Sequence, residues 1–137
     1  MMSFLNKVQK QYAVKLVVAD AYLKRVLDSY LETMMWADGK DPDTDEAFDG
    51  ILSEELKKES EADVKKFLKL VDDKGIDLTK YQIEQIGHDF WLTRNGHGAG
   101  FWDGDYEDKD GKILTMISES FGSKSPYLGD DGLIYLE

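Results

Sequence analysis

Chemistry needs a few residue types held close together, and this chain concentrates them in two kinds of place. The first is a pair of acid-rich stretches. Asp41, Asp43 and Asp45 stand at the first, third and fifth positions of an EF-hand-type calcium loop, and Asp103, Asp105 and Glu107 repeat that spacing. Such a loop needs glycine at its sixth position for a sharp turn and a bidentate glutamate at its twelfth. The first stretch has Glu46 and Leu52 there, and the second has Asp108 and Leu114. Both fail at the residues that give the loop its mechanism. Solvated turns are expected, and no metal site.

The second place is the run from His88 to Asp103, HDFWLTRNGHGAGFWD. It holds both histidines, with Asp89, Thr93, Arg94, Asn95 and Asp103 close by in sequence. General acid–base chemistry would want His97 held by a carboxylate beside a nucleophile or a water. Thr93, Ser118 and Ser120 are the nominal hydroxyls, and none stands in a nucleophile-elbow context. Two histidines among scattered carboxylates do not make a metal-ligand spacing. The glycines from Gly96 to Gly100 suggest a phosphate-cradling loop only superficially. Such a loop opens a helix and is followed by Lys and Ser or Thr, whereas Phe101-Trp102-Asp103 follows here. No catalytic residue and no cofactor are therefore assigned.

Recognition is the chemistry these residues do suit. Tryptophan and arginine are enriched where binding energy concentrates, and both occur in this run. The expected binding residues are Trp91, Thr93, Arg94, Asn95, His97 and Trp102. The alternative is a small enzyme or small-ligand site at Arg94, Asn95, His97 and Asp103, which would require a concave pocket beside them.

Elements to position these groups are legible in the periodicity. From Tyr12 to Trp36, apolar residues recur in steps of three and four through Tyr12, Leu16, Ala19, Leu23, Val26, Leu27, Tyr30 and Met34. That spacing predicts a long helix ending at Asp38-Gly39. Residues 37–50 are a loop. Ser53 caps a second helix running to about Lys74, with Leu56, Val64, Phe67, Leu68 and Val71 inward and Gly75 just past its end. The Thr79-to-Gln82 spacing predicts a short helix reaching Ile86 before Gly87. Asp89 to Thr93 then reads as a strand, Asn95-Gly96 as a hairpin turn, and Ala99 to Asp103 as the returning strand. Lys112 to Phe121 is at helical spacing, and residues 126–136 form a second hairpin. The fold class is α+β: two long N-terminal helices packed with a small antiparallel sheet of hairpins and one further short helix. A single domain over 1–137 is expected, helical over about 12–86 and β-rich over about 87–137.

Charge narrows the partners. The net charge is −11 over 137 residues, and it is unevenly spread. Lys7, Lys10, Lys15, Lys24 and Arg25 oppose only Asp20 in residues 1–25, while residues 26–51 and 103–137 are strongly acidic. An acidic surface repels nucleic-acid backbone, so no direct nucleic-acid binding is expected. There is no cysteine, hence no disulfide framework and no thiolate chemistry. The longest apolar stretch, Leu16 to Ala19, falls far short of the ~20 residues of a membrane span, and MMSFLNKVQKQ lacks the apolar core of a secretory signal. A cytoplasmic, non-membrane protein is expected.

The run HDFWLTRNGHGAGFWD resembles a segment of small acidic bacteriophage-encoded proteins. The likeness extends to AYLKRVLDSYLETMMW (21–36), to Phe67 in the second helix, and to Gly122 and YLGDDG (127–132) near the end. It covers about residues 20–137. A basic residue often follows the Phe-Trp-Asp in those proteins, whereas Gly104 stands here. The resemblance implies a phage setting in the host cytoplasm. It also concentrates attention on Trp91, Thr93, Arg94, Asn95, His97 and Trp102. Together these readings give a non-catalytic binder or modulator of a host or phage protein with a basic surface. Counter-defence and DNA mimicry are included, although the acids cluster in loops rather than along a rigid helix face.

Overall fold

The computed structural model describes the backbone of residues 4–137 and the side chains of residues 19–137. Helix α1 (Phe4–Asp38) is 35 residues long. Val26, Tyr30 and Met34, four apart, are fully buried along one line of it, as a helical stripe requires. The stripe positions Tyr12 and Leu16 lie outside the described side chains.

Helix α2 (Glu54–Asp73) begins as its sequence predicts. The Ser53 hydroxyl accepts from the Leu56 N–H at 3.0 Å, and Glu54 and Glu55 sit in the first turn, where carboxylates suit the helix dipole. Leu56, Ser60, Val64, Phe67 and Val71 are its buried side. Gly75, at φ 74°, ends it. A 3-10 turn (Leu78–Lys80) follows, capped by the Asp77 carboxylate on the Thr79 N–H at 3.0 Å. The expected Thr79-to-Gln82 capping box is thus replaced by an Asp77 cap.

The next element departs from expectation. Helix α3 (Ile83–Arg94) runs straight through Gly87 and the stretch that reads as a strand, and residues 95–107 are a loop. The hairpin expected over 88–103 does not exist. Eight residues of α3, including Phe90, Trp91, Leu92, Thr93 and Arg94 in succession, are buried. A segment covered on every side shows no 3.6-residue period. A short aromatic and β-branched run then mimics a strand, and tertiary packing overrides that local preference. Asn95-Gly96 is a helix stop: Asn95 is the C-cap and Gly96 has φ 69°. The Gly96 N–H donates to the Thr93 carbonyl at 3.2 Å and the His97 N–H to the Leu92 carbonyl at 3.0 Å. These are the paired bonds of a Schellman motif.

Gly87 is where α3 and α1 touch most closely. A Cβ there would collide with the Val26 carbonyl oxygen and the Tyr30 backbone nitrogen, so only glycine allows this approach. Helix α4 (Asp108–Glu119) starts one turn earlier than the expected Lys112. The sheet has three strands in the order β1 (Ile51–Leu52), β3 (Leu133–Leu136), β2 (Pro126–Leu128). β2 and β3 form the expected antiparallel hairpin, with Tyr127 opposite Tyr135. β1 pairs parallel to β3, Ile51 opposite Leu133, so the sheet is mixed rather than antiparallel. Two residues are too few to show a strand in sequence. The fold is α+β, with α3 and the loop after it standing where the first hairpin is expected and α4 where the further short helix is. One apolar cluster draws on all four helices and β3. Among the described residues, no helix is long and apolar enough to cross a membrane.

Candidate functional site

Arg94 is 3% exposed, and its guanidinium fork is almost fully used. Nη1 donates to the Asp63 carboxylate at 2.8 Å and to the Tyr30 hydroxyl at 2.9 Å. Nε donates to the Gly122 carbonyl at 2.9 Å, and Nη2 to the Phe121 carbonyl at 3.2 Å. The Phe90 and Phe121 rings lie 5.7 and 5.6 Å from the guanidinium carbon. Burial pushes the Tyr30 phenol up to about 12, against the pull of Arg94, so the ring remains a neutral partner. A buried charge is tolerable only when paired and bonded, and Arg94 meets that condition by clamping α1, α2, α3 and the segment after α4. It is an internal tie and presents nothing to solvent.

Trp91 is also fully buried. Its indole Nε1 donates to Asp38 Oδ2 at 2.6 Å, and its ring meets Tyr30 edge-on with centroids 5.3 Å apart. His97 Nε2 lies 2.9 Å from the same Asp38 oxygen. The carboxylate at the end of α1 thus gathers two of the expected binding residues. Thr93, also buried, accepts from the Phe101 N–H at 3.1 Å and packs against Gly100. Asn95 donates to the Trp91 carbonyl at 3.0 Å and accepts from the Lys124 N–H at 2.9 Å. Asp103 faces its own loop, accepting from the Gly100 N–H at 3.3 Å. The four residues of the enzyme alternative therefore do not converge: His97 pairs with Asp38, Arg94 with Asp63, and Asn95 with backbone.

A third polar group lies deeper. Asp89 is 1% exposed and accepts from Gln85 Nε2, at 3.0 and 2.9 Å, and from the Tyr106 hydroxyl at 2.7 Å. No cation pairs with it among the described residues. Burial holds its carboxyl above the usual range, against the opposing bonds from Gln85 and Tyr106. Burial, with Asp89 adding to it, pushes the Tyr106 phenol strongly upward. Tyr81, which packs on Tyr106 with centroids 4.6 Å apart, donates to Asp110 at 2.6 Å. These groups bind the 95–107 loop and α4 onto α3.

What faces outward is different. Of the six expected binding residues only Trp102 is exposed, at 56%. It lines a groove of about 430 Å³ with Met116, itself 70% exposed, beside Asp108 and Lys112. Tyr106 forms one wall of this groove and also walls a second, of about 370 Å³, with Lys80, Tyr81, Gln82, Gln85 and Asp105. Gln82 and Gln85 in turn wall a third, of about 370 Å³, between α1 and α3, which contains Trp36, 74% exposed, with Glu32 and His88. Three grooves with shared walls thus join Trp36 to Trp102 and Met116. Ile51, Tyr127 and Leu128 are also exposed, at the two edge strands of the small sheet. A larger apolar groove of about 780 Å³ borders Ala19, where the described side chains begin. In the first acidic loop the Asp41 carboxylate caps its own turn, accepting from the N–H groups of Asp43 and Thr44 at 2.8 and 3.2 Å.

Sequence reading missed Trp36, Glu32 and Met116. A signal for Trp36 exists: it stands two residues past Met34, about 200° round the helix from the buried line, and Glu32 is one turn before it on the same face. Asp38, Asp63 and Tyr106 carry no such signal, because their partners are distant in sequence. Comparison of the chain with protein-family models, with curated proteins and with solved structures finds no match in any of the three.

Proposed function

We propose that this chain is a small acidic, non-catalytic binding protein of the phage type that engages a basic surface of a host or phage protein. The observation that carries the reading is the row of adjoining grooves with an exposed tryptophan at each end. Burying a large aromatic side chain in water-excluding contact is worth several kcal/mol, and exposed tryptophans set among polar groups are where binding energy concentrates. Glu32, Glu84, Asp105 and Asp108 line the same row against Lys80 and Lys112, an acidic balance. On a chain of net charge −11, that combination suits a partner presenting apolar side chains among lysines and arginines. The working surface is therefore proposed at Trp36, Trp102 and Met116, with the His88–Asp103 run acting mainly from inside as the frame beneath it. Counter-defence fits the phage resemblance. DNA mimicry stands lower, because the acids lie beside aromatic grooves rather than in a phosphate-like row.

Photo-cross-linking tests the reading. A benzoylphenylalanine is placed at Met116, at Gln82 in the shared wall, or at Lys65 on the exposed side of α2, and the cells hosting the protein are irradiated. The same partner is expected at 116 and 82 and not at 65, with the cross-linked peptide rich in Lys and Arg. A partner captured at 65 alone, or through an acidic peptide, overturns the proposal.

A further inference from the structure

The groove between α1 and α3 holds groups whose remaining hydrogen-bonding capacity can be worked out one by one. The Thr33 hydroxyl, on a buried residue, donates to the Ser29 carbonyl at 2.8 Å and lies 3.0 Å from His88 Nδ1. A hydroxyl has one proton, so with that proton on Ser29 it accepts from an Nδ1–H. The neutral His88 ring then carries its lone pair on Nε2, which has no partner among the described residues. Gln85 shares an amide N–H between the two oxygens of Asp89, and its Oε1 remains an acceptor. The Ser29 hydroxyl donates to the Glu84 carbonyl. The Glu84 carboxylate already holds Arg25, whose Nε lies 3.0 Å away. Glu32 has no ion pair among the described residues and stands one helical turn from Trp36. The His88 and Trp36 rings lie close, centroids 6.0 Å apart and 31° between planes.

Beside the indole face there remain one carboxylate and two neutral acceptors, and at the rim the exposed Gln82 amide, which can turn either end inward. The carboxylate, the acceptors and the indole face suit a ligand that is cationic, flat and rich in donors. Guanidinium has five N–H donors, no acceptor, and a plane that stacks on an aromatic face; an ammonium shares the charge but neither the plane nor the fork. Cation–π attraction on tryptophan adds to the ion pair. Resting on the binding role proposed above, we infer that this groove takes one arginine side chain of the partner. Its guanidinium stacks on Trp36 and is bonded by Glu32 and by Nε2 of His88.

The test uses the full chain, ¹⁵N-labelled, and the peptide acetyl-Gly-Arg-Gly-amide. The same peptide with lysine, and with citrulline (the neutral isostere of arginine), serve as comparisons. The indole N–H signals of Trp36, Trp91 and Trp102 report separately. With arginine at millimolar concentration the Trp36 signal and the His88 amide are expected to shift in a saturable way. Lysine is expected to bind at least several-fold more weakly, and citrulline to leave both signals in place. Trp36→Ala should abolish the His88 shift and Glu32→Gln should weaken it at least fivefold, with the rest of the spectrum unchanged. Equal response to citrulline, persistence of the His88 shift in Trp36→Ala, or a shift at Trp102 alone overturns the inference. If the arginine peptide is ignored while Met116 and Gln82 still cross-link one basic partner, this inference falls and the binding reading stands. Loss of both results removes both.

Discussion

The chain contains two Phe-Trp pairs eleven residues apart, and the fold treats them in opposite ways. Phe90 and Trp91 lie side by side on α3, both fully buried. Phe90 stacks on Phe67 at 4.2 Å between centroids, and Trp91 is tied by its indole to Asp38. Phe101 is 1% exposed, while its neighbour Trp102 is 56% exposed. In sequence the pairs look equivalent, as two strands of one hairpin would be. The difference lies in what surrounds the backbone. Over residues 89–94 the helix is enclosed by α1, α2 and α4 and has no outward face left, so each successive side chain there needs an interior partner. A loop lying over that packing has an inside and an outside, so it buries one ring and shows the other. The same dipeptide is frame in one place and surface in the other.

Substitutions at the two pairs should separate these roles. Arg94 is the largest expected effect. Arg94→Ala leaves the Phe121 and Gly122 carbonyls and the Tyr30 hydroxyl without donors and Asp63 without its partner, at a cost of about 3–5 kcal/mol. Chemical denaturation followed by circular dichroism measures it, and a change under 1 kcal/mol would mean that the clamp is not needed.

Trp91→Ala, on the first pair, should cost about 3–5 kcal/mol through the cavity it leaves. Trp91→Phe keeps most of the volume and loses the bond to Asp38, for about 1–3 kcal/mol. His97 should register that loss, because it shares the Asp38 oxygen: its ring signals in a proton–nitrogen spectrum should shift in Trp91→Phe.

Asp89, two residues before Trp91, gives a smaller effect of opposite sign. Its folded-state carboxyl is held above the ordinary value by burial. The folded chain therefore binds this proton to higher pH than the unfolded chain does. That contribution to stability is fully present below the ordinary carboxylate range and is lost as pH rises through the raised value. Asp89→Asn keeps an acceptor for Tyr106 and meets Gln85 once that amide turns over. The variant should gain stability over the parent at neutral pH, and the gain should shrink toward pH 3. A gain that is the same at both pH values would place the charge elsewhere.

The smallest effect belongs to the second pair. Trp102→Ala should change stability by no more than about 0.5 kcal/mol, as surface substitutions do, while reducing cross-linking through Met116. A loss above 2 kcal/mol would make Trp102 frame as well, and the contrast between the pairs would collapse.

How much of this was legible beforehand follows from the range of each interaction. The sequence by itself determined the elements whose signals are local. The Ser53 cap, the stripe through Val26, Tyr30 and Met34, the Gly75 stop and the 126–136 hairpin each depend on residues within a turn or two. It also determined the acidity and the gaps in the two calcium-like loops. Asn95-Gly96 reads as a hairpin turn and instead ends a helix, because glycine at φ > 0 serves both. Tertiary structure alone decided that the helix continues through Gly87 to Arg94, since the stretch 89–94 is buried on every side and carries no period to read. It alone brought Asp63 to Arg94 across 31 residues and Asp38 to Trp91 across 53. It turned Asp89, Thr93 and Arg94 inward, and it placed Glu32, Trp36 and His88 around one groove. A side chain's type states what it can bond; which side of the chain is covered, and by what, is settled only when distant elements pack.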